Sequence, residues 1–445
     1  MEVSTNHFLK FVPFSKFDLW DTKRYTSKLV NSNFEVVKLS SCINEESNKY
    51  KLFLEEEKDF GILGVNNKTG IFDAYVQKGK DINQPYKKME IGWIAYNPYR
   101  INVGSIGIRL KEHKNEYISP AYVVFSCKEN ILPEYLFLVF KTDTFNKVIN
   151  ENTTGSVRQN LSFDKLKDLE IPLPTLQEQQ EIVEAYFSKI NEANQLKLEA
   201  NNIDQEIEKY FLNQLGLKEL NLKEKVKGLL TVDFKDLDRW DYFSGDYSVI
   251  SQLKSSNYSL SKLGDIYSFA KRSFNKKTYP SATFKYIEIG AIDPTKGILE
   301  AKEIKTEKAP SRATQLIKKG DLILGLTRPY LKKFALVTQE YDENICSSGF
   351  SVIEETKDYH LPYLLQFLKS TYGIEQLKNR MTGGLYPAIT EGELKEIKIP
   401  FPNIDKQIEI MKSVNIKINE IINSKSVVEE LIHQANEEFE NAIFQ

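Results

Sequence analysis

Apolar residues recur by sevens in two long stretches of this chain. In the first, Ala193, Ala200 and Ile207 form one row, with Leu196, Ile203 and Tyr210 beside it. In the second, Val414, Ile421, Val428, Ala435 and Ala442 form one row; Met411, Ile418, Ile432 and Phe439 form the other, broken at Lys425. A period of 3.5 residues describes a narrow helical seam that packs on another helix. Both stretches lack Gly and Pro; the first ends at Leu215 and the second runs to Gln445. At about 40 residues each, the predicted helices are roughly 60 Å long. Alone, neither can bury its seam, so the seams are expected to pack on each other. The short 216–232 link favours an antiparallel pair.

Both helices open on related motifs. The first is Ile171-Pro-Leu-Pro-Thr-Leu-Gln-Glu-Gln-Gln-Glu-Ile-Val183; the second, half the chain later, is Ile399-Pro-Phe-Pro-Asn-Ile-Asp-Lys-Gln-Ile-Glu-Ile410. Thr175 with Glu178 reads as a capping box and Asn403 as an N-cap, while Pro172 and Pro174 keep the preceding chain extended. Asp405-Lys406-Gln407 stands where Gln177-Glu178-Gln179 stands in the first copy. Gly216 supplies a helix C-terminus.

The duplication extends through the mixed strand-and-turn segments before each helix. Trp20-Asp21 returns as Trp240-Asp241, and Lys88 to Pro98-Tyr99 aligns with Lys319 to Pro329-Tyr330. Leu132-Pro133 returns as Leu361-Pro362, and Thr154-Gly155 as Thr382-Gly383. On these alignments the offset drifts from 220 to 231, as expected when loops gain and lose residues. The expected fold is α+β, with two similar α/β domains separated by a long antiparallel two-helix coiled coil in a pseudo-twofold internal repeat. The boundaries read as a first domain at 1–172, a first helix at 173–215, a linker at 216–232, a second domain at 233–400 and a second helix at 401–445.

Composition narrows the functional classes. Of 445 residues, 41% are hydrophobic, which supports folded cores. No long apolar run reads as a membrane span, and the N-terminus lacks the pattern of a signal peptide. Three dispersed cysteines (Cys42, Cys127, Cys346) and four isolated histidines argue against a disulfide framework or a metal site and fit a cytoplasmic protein. The net charge of −2 hides a partition: residues 175–227 carry −3 and residues 403–445 carry −4, leaving +5 on the remainder. An anionic partner therefore suits the globular halves better than the helices.

The repeated Trp-Asp, the Gly320-Asp-Leu-Ile-Leu324 strand, the Thr-Gly segments and the Ile-Pro-Leu-Pro-x-Leu-x-Glu-Gln motif together resemble the specificity subunit of type I restriction–modification systems, over essentially the whole chain. The resemblance implies two target-recognition domains, each reading one half of an interrupted double-stranded DNA site. It implies that the paired helices act as a ruler and dock two modification (methyltransferase) subunits. S-adenosylmethionine would belong to those partners, and ATP and magnesium to motor–nuclease restriction subunits. The chain itself would bind no cofactor and catalyse nothing, and would serve DNA methylation and phage defence. A roughly 60 Å separator with domains reaching inward suits half-sites on the order of one DNA turn apart.

Three groups of residues are candidates for DNA contact. Lys271, Arg272, Asn275, Lys276 and Lys277 form the densest basic run, interleaved with Phe274 and Tyr279. Arg328, Lys332 and Lys333 flank Pro329-Tyr330, and Asn97 and Arg100 are their first-half counterparts. Arg158, Gln159 and Asn160 follow Thr154-Gly155. The competing readings are solvated loops, strand-end turns and a helix-capping contact. Asn97-Pro98-Tyr99 resembles the Asn-Pro-Pro-Tyr motif of adenine methyltransferases but lacks its second proline, so it reads as a turn. Two other functions remain open at this level: a self-contained nuclease using Asp293, Glu300 and Lys302 around magnesium, and a coiled-coil scaffold that reads no DNA.

Overall fold

The computed structural model describes residues 30–153, 160–222 and 244–444. Both Trp-Asp repeats, Thr154-Gly155, Arg158 and Gln159 lie outside them. The chain divides into two compact units. One comprises residues 1–195 and 427–445; the other is the contiguous stretch 196–426. The domain edges drawn from sequence treat the helices as separate bodies, whereas each compact unit holds one α+β domain together with part of both long helices.

In the first unit, a five-stranded sheet runs in the order Lys49–Tyr50, Tyr86–Lys88, Tyr117–Ile118, Asp59–Asn66, Gly70–Lys78. A four-stranded sheet follows the order Ile43–Glu45, Val123–Cys127, Ile94–Tyr96, Ile106–Ile108. In the second unit, Ala313–Leu316, Ile345–Ser347, Thr283–Ile287 and Lys302–Lys305 repeat the first order without its opening strand. Phe350–Ile353, Leu322–Gly325 and Phe334–Leu336 repeat the second, again without its opening strand. Even the parallel pairing recurs, Ile62 with Tyr117 and Tyr286 with Ile345. The strand at 94–96 and its counterpart at 322–325 are buried on both faces, which explains their unbroken apolar character.

The structure replaces the drifting offset with a single step. Strand Val36–Lys38 answers to Leu260–Lys262 at an offset of 224, and the strand starting at Asp59 answers to the one starting at Thr283 at the same offset. From there onward the offset is 228. It relates the elements that begin at Ile94 and Leu322, Ile106 and Phe334, Pro133 and Leu361, Asp143 and Thr371, and Leu176 and Ile404. The Pro-Tyr alignment at 231 is therefore out of register. Two prolines in similar turns attract it, but the turns Ile101–Val103 and Pro329–Leu331 place Arg100 opposite Arg328.

The first long helix spans Leu176–Gln214 and the second Ile404–Ile443. Their starts are fixed as the sequence predicts. The Thr175 hydroxyl accepts from the Glu178 amide (3.3 Å), and the Glu178 carboxylate accepts from the Thr175 amide (2.8 Å). The Asn403 side chain accepts from the Lys406 amide (2.9 Å). At the far end, Gly216 adopts φ +71°, and the Leu217 amide reaches back to the Leu212 carbonyl (2.9 Å).

Within the first unit, Tyr186 meets Phe439 edge-on at 5.9 Å and Lys189 pairs with Glu438. Within the second, Lys417 pairs with Glu206 at 2.6 Å. Numbers rise along one helix as they fall along the other, so the pairing is antiparallel. Ala193, Ala200, Ile207, Val414, Ile421 and Val428 are buried, and Leu196, Ile203, Ile418 and Ile432 are half-buried. Ala442, placed in the same row by period, is exposed, because the helix end rests instead on Phe439, Ile443 and Phe444 against the first domain. The break at Lys425 is a polar anchor: its ammonium donates to the Thr295 hydroxyl at 2.6 Å.

Matched hydrogen bonds tie the helix starts to their domains. The Tyr135 hydroxyl donates to the Pro172 carbonyl (2.9 Å) and Tyr363 to Pro400 (2.6 Å). Gln179, fully buried, accepts from the Leu132 amide and donates to the carbonyls of Asn130 and Pro174. Gln407, also fully buried, accepts from the His360 amide and donates to the Pro402 carbonyl. Of the Gln-Glu-Gln motif, the second copy thus repeats the buried glutamine that ties the helix to its domain, while the capping role of Glu178 passes to Asn403.

Candidate nucleic-acid interface

The basic run at 271–279 divides by side-chain type. Phe274 and Tyr279 turn inward and pack with Phe284, at ring distances of 5.1 Å for Phe274 and 5.9 Å for Tyr279. Lys271, Asn275, Lys276 and Lys277 face solvent. The Asn275 side chain accepts from the Lys277 amide (2.9 Å), so its carbonyl shapes the turn.

Arg272 has a different job. Its guanidinium lies 2.6 Å from Asp321, a carboxylate only 4% exposed, and 3.2 Å from Glu354. Burial pushes the Asp321 carboxyl up, opposed by hydrogen bonds and by the Arg272 charge. Pairing with two acids removes Arg272 from the cations available to a phosphate. Sequence reasoning groups it with its lysine neighbours because charge alone does not reveal a partner far along the chain.

The Pro-Tyr turn of the second unit is built on unusual backbone. Arg328 (φ 49°) and Lys332 (φ 55°) both take the left-handed conformation, on either side of Pro329–Leu331. In the first unit Gly104 occupies the position of Lys332 with φ 82°. A left-handed Gly is inexpensive, whereas left-handed Arg and Lys store strain of the kind that accompanies functional turns. Arg328 donates to the Leu385 carbonyl (3.1 Å), and its guanidinium lies 5.3 Å from the Tyr386 ring centre. Lys333 donates to the Ile292 carbonyl and is committed to the fold. Asn97 accepts from the Tyr99 amide (3.0 Å), so its carbonyl shapes the turn. Arg100 remains exposed. Asn160 is half-buried, with its carbonyl oxygen buried and without a hydrogen-bond partner.

A matched lysine pair beside these turns escapes the sequence reading. Lys141 donates to the Gly104 carbonyl (3.2 Å) and lies 5.4 Å from the Phe137 ring; burial lowers its pKa. Lys369, its counterpart in the second unit, donates to the Pro294 carbonyl (2.7 Å), and burial, with Lys332 nearby, brings it down to about 8. The signal that could have found them is position: each Leu-Pro motif opens a short helix, with Lys369 as the last residue of one and Lys141 two residues past the end of the other. Both border clefts. The first-unit cleft is about 690 Å³ and includes Lys68, Lys141 and His433. The second-unit cleft is about 130 Å³ and includes Lys332 and Lys369, with Pro294 and Thr295 occupying part of its wall.

The nuclease residues do not converge. The Asp293 carboxylate accepts from the Thr295 and Lys296 amides (2.7 Å each), and Lys302 pairs with Glu288 at 3.2 Å. Glu300 and Lys302 line a cleft to which Asp293 does not contribute. Among the described residues no cluster of three His, Cys, Asp or Glu side chains could hold a metal ion, and no helix is long and apolar enough to cross a membrane.

Comparison with known proteins places this architecture. The chain matches the family model for the type I restriction modification DNA specificity domain twice, at residues 31–221 and 255–430. It is 25% identical over 185 residues to the type I restriction enzyme HindI specificity subunit of Haemophilus influenzae, covering 41% of this chain and 39% of that one. It is 21% identical over 319 residues to the EcoDI specificity subunit of Escherichia coli, covering 70% of this chain and 68% of that one. A solved chain from work on complex assembly and conformational transition of the type I R-M system shares the fold: TM-score 0.52, 13% identity, 93% of this chain and 98% of that chain covered. Two family matches, one on each copy of the repeated fold and together covering most of the chain, establish that it belongs to the type I restriction modification DNA specificity family.

Proposed function

We propose that the chain is the DNA sequence-specificity subunit of a type I restriction–modification enzyme, with each globular half binding one half of a bipartite duplex site. The observation that carries this reading is the repeat itself. One fold occurs twice with an arginine turn at matching positions, Arg100 and Arg328, while the side chains around each turn differ. Two copies of one reader with different reading surfaces suit a split target whose halves differ. Lys271, Lys276, Lys277, Arg328 and Lys332 in the second half, and Arg100, Arg158, Gln159 and Asn160 in the first, are the proposed contacts. Lys141 and Lys369 join them as matched cations beside the two turns, Lys369 already partly withdrawn from water.

In this reading the paired helices set the spacing between half-sites, and their acidic outer surfaces dock two methyltransferase subunits that carry S-adenosylmethionine. Restriction subunits supply the ATP- and magnesium-dependent motor and nuclease. The chain contributes recognition and no catalytic group. The test is long-read methylation mapping of the host with and without this gene. The expected result is a split motif, methylated in both halves, that disappears on deletion. An unchanged methylation pattern would overturn the reading.

A further inference from the structure

Among the described residues of the second unit, the loop at 383–387 carries the two most exposed large apolar side chains. It is closed at its base by two backbone hydrogen bonds between Thr382 and Ala388, 2.9 Å each. Gly383 supplies the φ of +94° that lets the chain turn. The loop is then tied to the arginine turn: the Arg328 amide donates to the Pro387 carbonyl (2.8 Å), and the Ile389 amide donates to the Leu326 carbonyl (3.0 Å). At its tip, Leu385 is 78% exposed and Tyr386 is 68% exposed.

Two large apolar side chains on a braced loop are costly to leave in water unless something covers them. Their surroundings identify the chemistry of the cover. Residues 326–333 and 381–388 together contain Arg328, Lys332 and Lys333 and not one carboxylate. An apolar tip with Arg328 against it, on segments that carry cations and no carboxylate, suits a polyanion with an apolar interior, which is duplex DNA with its stacked bases. Arg328 is poised at the junction, one amino group on the Leu385 carbonyl, its plane near the Tyr386 ring, and its Nε buried without a partner. The strained left-handed backbone at Arg328 keeps that arrangement in place before any ligand arrives.

From this we infer that Leu385 and Tyr386 form a wedge that enters the second half-site and unstacks one base step, with Arg328 holding the adjacent backbone. Apolar wedges of this kind act by unstacking a step and letting more protein surface meet the DNA. The wedge is specific to the second half. The corresponding positions of the first half are Val157 and Arg158, which offer a smaller apolar group and a charge. The two halves would therefore engage DNA differently, one by deformation and one without it.

The inference rests on the DNA-specificity reading, and the experiment separates the two. The full chain is purified with the subunits that accompany it and mixed with duplexes carrying the mapped target. Each duplex holds a single 2-aminopurine at one position of the second half-site. The wild type should raise the fluorescence several-fold at one step. The double variant Leu385→Ala, Tyr386→Ala should abolish that rise and bind roughly 10-fold more weakly, with its melting temperature unchanged because neither side chain is in the core. A duplex carrying an abasic position at that step should restore most of the lost affinity, since the unstacking is already done. Target-specific binding with flat fluorescence throughout, or a double variant that keeps the signal, overturns the wedge alone. Loss of co-purifying subunits with the signal intact would make the tip a protein contact and also overturn it. Equal binding of target and scrambled duplexes by the wild type overturns the specificity reading itself.

Discussion

At the scale of single residues, charge and function separate most clearly at positions 272 and 276–277. Arg272→Ala should destabilise the fold by about 3–5 kcal/mol, because it strands the buried Asp321 carboxylate. Lys276→Ala with Lys277→Ala should leave the melting temperature unchanged. It should instead weaken DNA binding and reduce the salt dependence of log K by roughly 2. Calorimetry and salt titrations of the same variants check both outcomes. Gln179→Ala should cost about 2–3 kcal/mol by leaving the Leu132 amide and two carbonyls unpaired, whereas Gln177→Ala, at an exposed position, should cost about nothing. Lys369 adds a pH signature. Its folded pKa of about 8 lies below the ordinary 10.5, so the unfolded chain binds the extra proton between those values. Its contribution to stability therefore rises with pH across that window and is least favourable below pH 8. Lys369→Met removes this dependence. The stability difference between variant and wild type should shift in favour of the wild type by up to about 3 kcal/mol from pH 7 to pH 10.5.

At the scale of elements, the long helices are legible because period and length are local properties of the sequence. Capping residues at 175, 178 and 403 fix their starts, and the repeated motif fixes their kinship. The strands are legible as kinds but not in register. An apolar strand buried on both faces carries no alternation from which to count, and two similar prolines draw the alignment away from the true pairing. What pattern cannot supply is the partner of a side chain. Lys425 reads as a fault in the seam until Thr295 is placed opposite it, and Glu440 and Glu208 read as ordinary surface acids. Each of those acids caps a short helix: Glu440 accepts from the Thr144 and Asp143 amides, and Glu208 from the Thr371 amide and hydroxyl. Glu440→Gln and Glu208→Gln should each cost about 1 kcal/mol in urea unfolding, the first lost from the first unit and the second from the second. At Ala193, fully buried in the seam, Leu should overpack and cost about 1–3 kcal/mol.

At the scale of the whole molecule, the repeat makes recognition modular. Exchanging residues 244–398 for those of a relative should change the methylated sequence in one half-site and leave the other intact; a change in both, read by the same methylation mapping, would show that the halves do not read independently. Composition anticipates this level only through the charge partition, since a net charge of −2 says nothing about which surface meets DNA.

The discontinuity of the first compact unit bears on how the chain is made. Its last piece, residues 427–445, is synthesised only after the whole of the second unit, which is one uninterrupted stretch. During translation the later-made half can therefore finish folding first, while the earlier-made half waits for Phe439, Ile443 and Phe444 to complete its core. A stop codon at position 427 should accordingly injure the N-terminal half. Limited proteolysis of that truncated product should degrade residues 30–195 and spare a fragment from about 196 to 426.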